Sequence, residues 1–184
     1  MHSPAAPNVP MRVHSFAPVV DAASRVLVLG SMPGVASLRS GQYYAHPRNL
    51  FWPLMQELLE VDARAPYDVR LAALLTRGVA LWDVLRSCTR KSSLDADIVA
   101  SSAVPNDFAG LLADHPAIRS ICFNGRAAEA AFRRRVLPGL PDAAALALHA
   151  LPSTSPANAG IPWTRKRADW AVVARAARRL RTAP

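Results

Sequence analysis

Three short apolar runs constrain this chain more than any other feature: Arg25-Val-Leu-Val-Leu-Gly30, Gly78-Val-Ala-Leu-Trp-Asp-Val84 and Ser120-Ile-Cys-Phe-Asn-Gly125. Each is continuously apolar rather than alternating, the pattern of a strand covered on both faces, and each closes on glycine or a polar residue. Strands of this kind pair in parallel and need crossover helices between them. Ala144 to Leu151 fits strand or helix by composition, and its position before the loop PSTSPANAGIPW favours a fourth strand. The expectation is an α/β fold, a three-layer α/β/α sandwich around a four-stranded parallel sheet.

Helices are expected between the strands. One opens at Asn49 and runs through LFWPLMQELLE, with Pro53 tolerated in the first turn. A second fits Tyr67 to Arg77, a third is capped by Pro105-Asn106 and runs to about Asp114, and a fourth spans Arg126 to Val136. The last, Thr164 to Arg181, is amphipathic, with Trp170, Val173, Ala177 and Leu180 set among arginines. Residues 1–10 hold three prolines and no periodicity and read as a flexible leader. Residues 11–184 then form one domain, since ~100–150 residues is the usual domain size.

Charge bears on the partner. The chain carries 22 Lys+Arg against 13 Asp+Glu, a formal +9, and its lysines are only Lys91 and Lys166. Arginine suits forked contacts to phosphate, so a nucleic-acid partner fits, as does an arginine-biased genome. Cys88 and Cys122 stand far apart and the five histidines do not cluster, so neither a metal site nor a disulfide framework is expected, and no cofactor. No signal-peptide core or spanning apolar run occurs. The expectation is a soluble, cytoplasmic, monomeric protein without membrane attachment.

In open parallel sheets ligands bind beyond the carboxyl ends of the strands. The loop after the first strand, residues 31–48, is far longer than the ~2–6 residues of an ordinary connection and is expected to be functional. Gly30-Ser-Met-Pro-Gly34 lacks the GK[ST] ending of a phosphate loop and the third glycine of a dinucleotide fingerprint.

The segment GSMPGVASLRSGQYYAHPRNLFW (Gly30 to Trp52) resembles the first motif of the uracil-DNA glycosylase superfamily's mismatch-specific branch. It is more closely similar to that of the hypoxanthine-DNA (deoxyinosine) glycosylases. The likeness continues through GVALWDVLRSC (78–88), KSSLDADI (91–98), CFNG (122–125) and LPSTSPANA (151–159), in the family's order. It implies an enzyme that flips a damaged base out of DNA and hydrolyses its glycosidic bond.

The resemblance also implies roles. Asn49 is the expected catalytic residue, orienting water through its carbonyl oxygen, because the polar residue usual in the opening pentad is replaced by Met32. Asn49 also suits a helix N-cap. Tyr44 is expected to stack on the flipped base, with Tyr43 beside it and one of the pair available to the core. Ser31, Met32, Asp83 and Asn124 complete the expected base site; Asn124 suits helix capping as well as base reading, and Asp83 suits structural capping more than base binding. His46, Ser153, Thr154, Ser155, Asn158, Arg165, Lys166 and Arg167 are expected at the DNA. Leu151 stands where relatives carry a polar residue that helps uracil leave, so strong uracil excision is not expected; hypoxanthine is the substrate that the resemblance implies, and uracil the second. No lysine lies in the first loop to form a Schiff base, so no lyase step is expected. Met32 and Leu151 equally fit a damage-binding module without catalysis, and the sheet alone fits an unrelated nucleotide-handling enzyme.

Overall fold

The computed structural model describes residues 10–178. In chain order its elements are β1 (Met11–His14), β2 (Val26–Gly30), α1 (Val35–Ser40), α2 (Phe51–Leu59), α3 (Tyr67–Thr76), β3 (Val79–Asp83), β4 (Leu85–Arg90), β5 (Val104–Pro105), α4 (Phe108–Asp114), β6 (Ser120–Asn124), α5 (Arg126–Arg135), β7 (Ala147–Leu151) and α6 (Trp163–Arg178). The leader and the end of the last expected helix, including Leu180 and Arg181, lie outside the described residues apart from Pro10.

The four apolar runs form one parallel sheet in the order β3-β2-β6-β7. Side chains alternate across a strand, and β2 shows the consequence. Val26 and Val28 pack with Phe51, Leu54 and Met55 of α2, Leu74 of α3 and Trp170 and Val173 of α6. Leu27 and Leu29 pack on the other face with Phe108 and Leu111 of α4 and Ala128 and Phe132 of α5. Two cores on one sheet make the three-layer sandwich. Both faces being covered is why the runs show no polar alternation.

Several boundaries differ from the sequence expectation. Residues 31–48 are not all loop, because α1 forms within them and ends at Gly41, φ +66°, whose N–H bonds Ser37 O. Asn49 lies outside α2: Leu50 is the cap residue, though the Asn49 side chain still accepts the Phe51 N–H at 2.9 Å. Asp107, not Asn106, caps α4, taking the Gly110 N–H at 3.0 Å. Asn106 instead donates to Asp83 O at 2.8 Å.

A second sheet was not expected. β1, β4 and β5 pair antiparallel in the order β1-β4-β5. β4 follows β3 after one residue and leaves the main sheet to pair with β1 and β5. Among the described residues no helix is long and apolar enough to cross a membrane.

Candidate active site

The register of the main sheet places Gly30 beside Asp83 and Asn124 beside Leu151, so the four strands end together. The loops leaving that edge enclose a cavity of about 360 Å³, within the ~300–1,000 Å³ of small-molecule sites. Ser31, Met32, Tyr43, Tyr44, His46, Asn49, Asp83, Asn124, Ser153, Thr154 and Ser155 all line it. Asn158, Arg165, Lys166 and Arg167 do not line it.

Tyr44 is held in the left-handed region at φ +57°, a conformation uncommon for an aromatic residue and costing ~1–3 kcal/mol. Its ring stacks on Phe51 at 4.0 Å, which covers one face. Its hydroxyl is wholly buried, lies near Asn124 and has no hydrogen-bond partner, and burial raises its pKa. Tyr43 is the core member of the pair: it is 3% exposed, meets Phe16 edge-on at 5.1 Å, and donates to Ala17 O at 3.3 Å. Its carbonyl accepts the Trp52 indole N–H at 3.1 Å and its N–H donates to the Tyr67 hydroxyl at 2.9 Å. These contacts hold the turn that strains Tyr44.

His46 Nδ1 accepts the Arg48 N–H at 3.1 Å. In the neutral ring this leaves the proton on Nε2. His46 O accepts the Asn49 N–H at 2.8 Å, which sets the Asn49 side chain at the cavity. Its carbonyl oxygen, bonded to Phe51 N–H, keeps one lone pair free.

Asp83 is buried at the end of β3. A Cβ on Gly30 would stand 2.6 Å from Asp83 Oδ1 and 3.8 Å from the Tyr44 hydroxyl, so only glycine admits this carboxyl. Burial pushes the Asp83 pKa up to about 8, Asp95 adds to the shift, and Arg90 and the Tyr43 hydroxyl oppose it. Met32 differs from its neighbours: it is 7% exposed and packs in the core shared with α4 and α5.

One wall was missed by sequence reasoning. Ser93, Leu94 and Asp95, in the segment after β4, face the cavity. Three contacts fasten that segment to the first loop: Arg90 donates to Pro33 O, Ser31 donates to Asp95, and Ser93 Oγ accepts the Val35 N–H at 2.9 Å. The signal was KSSLDADI, a polar stretch right after a strand. Its target, however, is set by the antiparallel turn of β4.

Asn124 neither caps α5, whose cap is Gly125, nor presents a free edge. Its amide clasps Thr154, donating to Oγ1 and accepting the N–H, both at 2.8 Å. The loop after β7 is braced throughout. Trp170 donates to Pro152 O at 2.9 Å, Asn158 to Ser153 O at 3.1 Å, and Leu50 N–H to Thr154 O at 3.0 Å. Ser155 Oγ accepts the Ala157 N–H at 3.2 Å. Gly125 sits at φ +99°, and a Cβ there would meet Ser153 Cβ at 2.9 Å.

Lys166 corrects the expectation of a surface cation. It is buried, and Nζ donates to Ser153 O at 2.8 Å and Asn158 O at 2.9 Å. It is a brace inside the protein and is not placed to meet phosphate. Arg165 and Arg167 are exposed, paired with Asp169 at 2.8 Å and Glu57 at 2.6 Å.

The cavity therefore combines an aromatic ring, a carboxyl kept from water and an amide with a free lone pair, under a rigid loop. No group of His, Cys, Asp or Glu among the described residues could hold a metal ion. These parts suit recognition of a flat polar ring and attack by a held water.

A model of the uracil DNA glycosylase superfamily matches residues 17–177. The hypoxanthine DNA glycosylase of Methanosarcina barkeri (strain Fusaro / DSM 804) is 36% identical over 117 residues, 63% of this chain and 73% of that protein. That of Methanosarcina acetivorans is 38% identical over 114 residues, 61% of this chain and 71% of that protein. The solution NMR structure of a candidate uracil DNA glycosylase from Methanosarcina acetivorans superposes with a TM-score of 0.76 at 33% identity, covering 91% of this chain and 99% of that one.

Proposed function

The chain belongs to the uracil DNA glycosylase superfamily, and from that premise we propose that it excises hypoxanthine from DNA, with uracil a poorer substrate, as the opening step of base excision repair. The relatives named as hypoxanthine DNA glycosylases support the substrate. The observation that carries the reading is the cavity at the strand ends, where strained Tyr44, buried Asp83 and the free lone pair of Asn49 face one space.

In this reading the nucleotide swings out of the stack. The base enters against Tyr44, on the ring face that Phe51 leaves open. Asn49 holds a water at the sugar carbon through its carbonyl oxygen; an amide is too weak a base to deprotonate it, so the bond breaks first and water adds to the cation. Apolar, buried Met32 and Leu151 supply no donor for a departing uracil anion, which favours the purine. Lys166 is bound to two carbonyls, so water rather than an amine attacks.

The test is release of base from duplexes carrying inosine, uracil, xanthine or a thymine mismatch, followed by alkali. Breaks at inosine well above uracil are expected. Tight binding to inosine duplex without breaks would show a damage-binding module instead.

A further inference from the structure

A carboxylate buried without a partner is costly, and such groups take up a proton instead. Asp83 lines the cavity, yet its Oδ2 is wholly buried and meets no hydrogen-bond partner. The groups around it are Tyr43 and Tyr44 from the first loop, Tyr67 of α3, Arg90 of β4 and Asp95 beyond it. Arg90 is the cation among them, and one arm of its guanidinium is bound to Pro33 O. No ion pair joins Arg90 to Asp83 among the described residues.

Resting on the hypoxanthine reading, we propose that Asp83 enters the reaction as the neutral acid and donates its proton to a ring nitrogen of the flipped purine as the glycosidic bond breaks. The electron pair of the C1′–N9 bond stays with the base, and the proton from Asp83 lets the base leave neutral. Water then adds to the sugar cation and gives up one proton, which returns to the Asp83 carboxylate. One water is consumed per base released. A purine has basic ring nitrogens able to take this proton, whereas neutral uracil has none, so the same carboxyl would favour purines in this cavity.

The sign with pH follows directly. The acid form is present below its folded pKa of about 8, so single-turnover excision of hypoxanthine should be level through neutral pH. Above about 8 it should fall tenfold per unit. Asp83→Asn keeps the shape but has no titrating proton. It should cut at least ~10²-fold more slowly at neutral pH, the usual contribution of a general acid, and should lack the alkaline fall.

An Asp83→Asn protein within a few-fold of the parent, or one keeping the alkaline fall, would overturn the proposal. The parent alone also tests it, since a rate that is flat from pH 6 to 9.5 excludes a proton held by Asp83. Carboxyl ¹³C titration of the free protein separates this inference from the substrate reading. An Asp83 resonance titrating near 8 supports the acid even if no inosine is cut, and one near the ordinary ~3.9 refutes it even if inosine is cut well.

Discussion

The carbonyl oxygen of Asn49 that accepts the Phe51 N–H at the start of α2 is also the one proposed to hold water. Asn49→Ala therefore removes both contacts. Loss of the hydrogen bond to Phe51 costs ~0.5–1.5 kcal/mol, which a denaturation midpoint reads. Loss of the held water is expected to slow excision by ~10²-fold or more, in single-turnover kinetics run well below the melting temperature. Affinity for inosine duplex should stay within a few-fold. If stability drops while the rate stays close to the parent's, Asn49 is a helix cap and water is positioned by another group. Tyr44 shows the same economy: one residue in a strained conformation presents its ring to the cavity because Phe51 supports the opposite face.

At the level of elements, the loop after β7 depends on distant side chains rather than on its own turns. Asn124 of β6 holds Thr154, Trp170 of α6 holds Pro152, and Lys166 of α6 ties Ser153 to Asn158. Lys166→Met keeps the stem but leaves the Asn158 carbonyl without its donor and Ser153 O with Asn158 alone, for a cost of ~1–3 kcal/mol. The expected result is a lower melting temperature and faster amide exchange at Thr154, which sits inside the braced turn. The salt dependence of DNA binding should not change, since Lys166 faces inward. An unchanged melting temperature with a shallower salt slope would mean that Lys166 turns outward to phosphate in solution. The segment after β4 also lines the cavity, and Ser31 and Val35 fasten it to the first loop.

For the whole molecule, the exposed arginines at the start of α6 are the ones expected to meet DNA phosphates. Arg165 and Arg167 stand at the start of α6, directly after the braced loop, and their partners Asp169 and Glu57 are themselves partly exposed. Exposed pairs of this kind are worth only ~0–1 kcal/mol, so a phosphate displaces the carboxylates easily. Replacing both arginines by alanine should weaken binding to damaged and undamaged duplex alike. The log–log salt slope should become shallower by about two units at most, at ~0.9 per phosphate. Identical slopes for parent and variant would place the DNA track on another face.

The architecture was legible because it depends on residue type in order. Continuous apolar runs at 26–29, 79–82 and 121–123 admit few arrangements other than a parallel sheet covered on both faces, and the helices between them follow from that. That the cavity lies at the strand ends was legible for the same reason; the first-loop residues that face it came from the resemblance, and the wall at Ser93 to Asp95 was missed. Orientation and partners were not legible. Asn49 as a cap from outside its helix, Asn124 spent on Thr154, and Lys166 buried beneath a loop all depend on which distant atoms come within hydrogen-bond reach. The β1-β4-β5 sheet joins residues about 75 positions apart in β1 and β4, as in Val13 opposite Cys88, and no local periodicity encodes such a pairing. The raised pKa of Asp83 belongs to this second group. The residue type sets its ordinary pKa, and only the packing of Gly30, Tyr43 and Tyr44 around it decides how much water the carboxyl keeps.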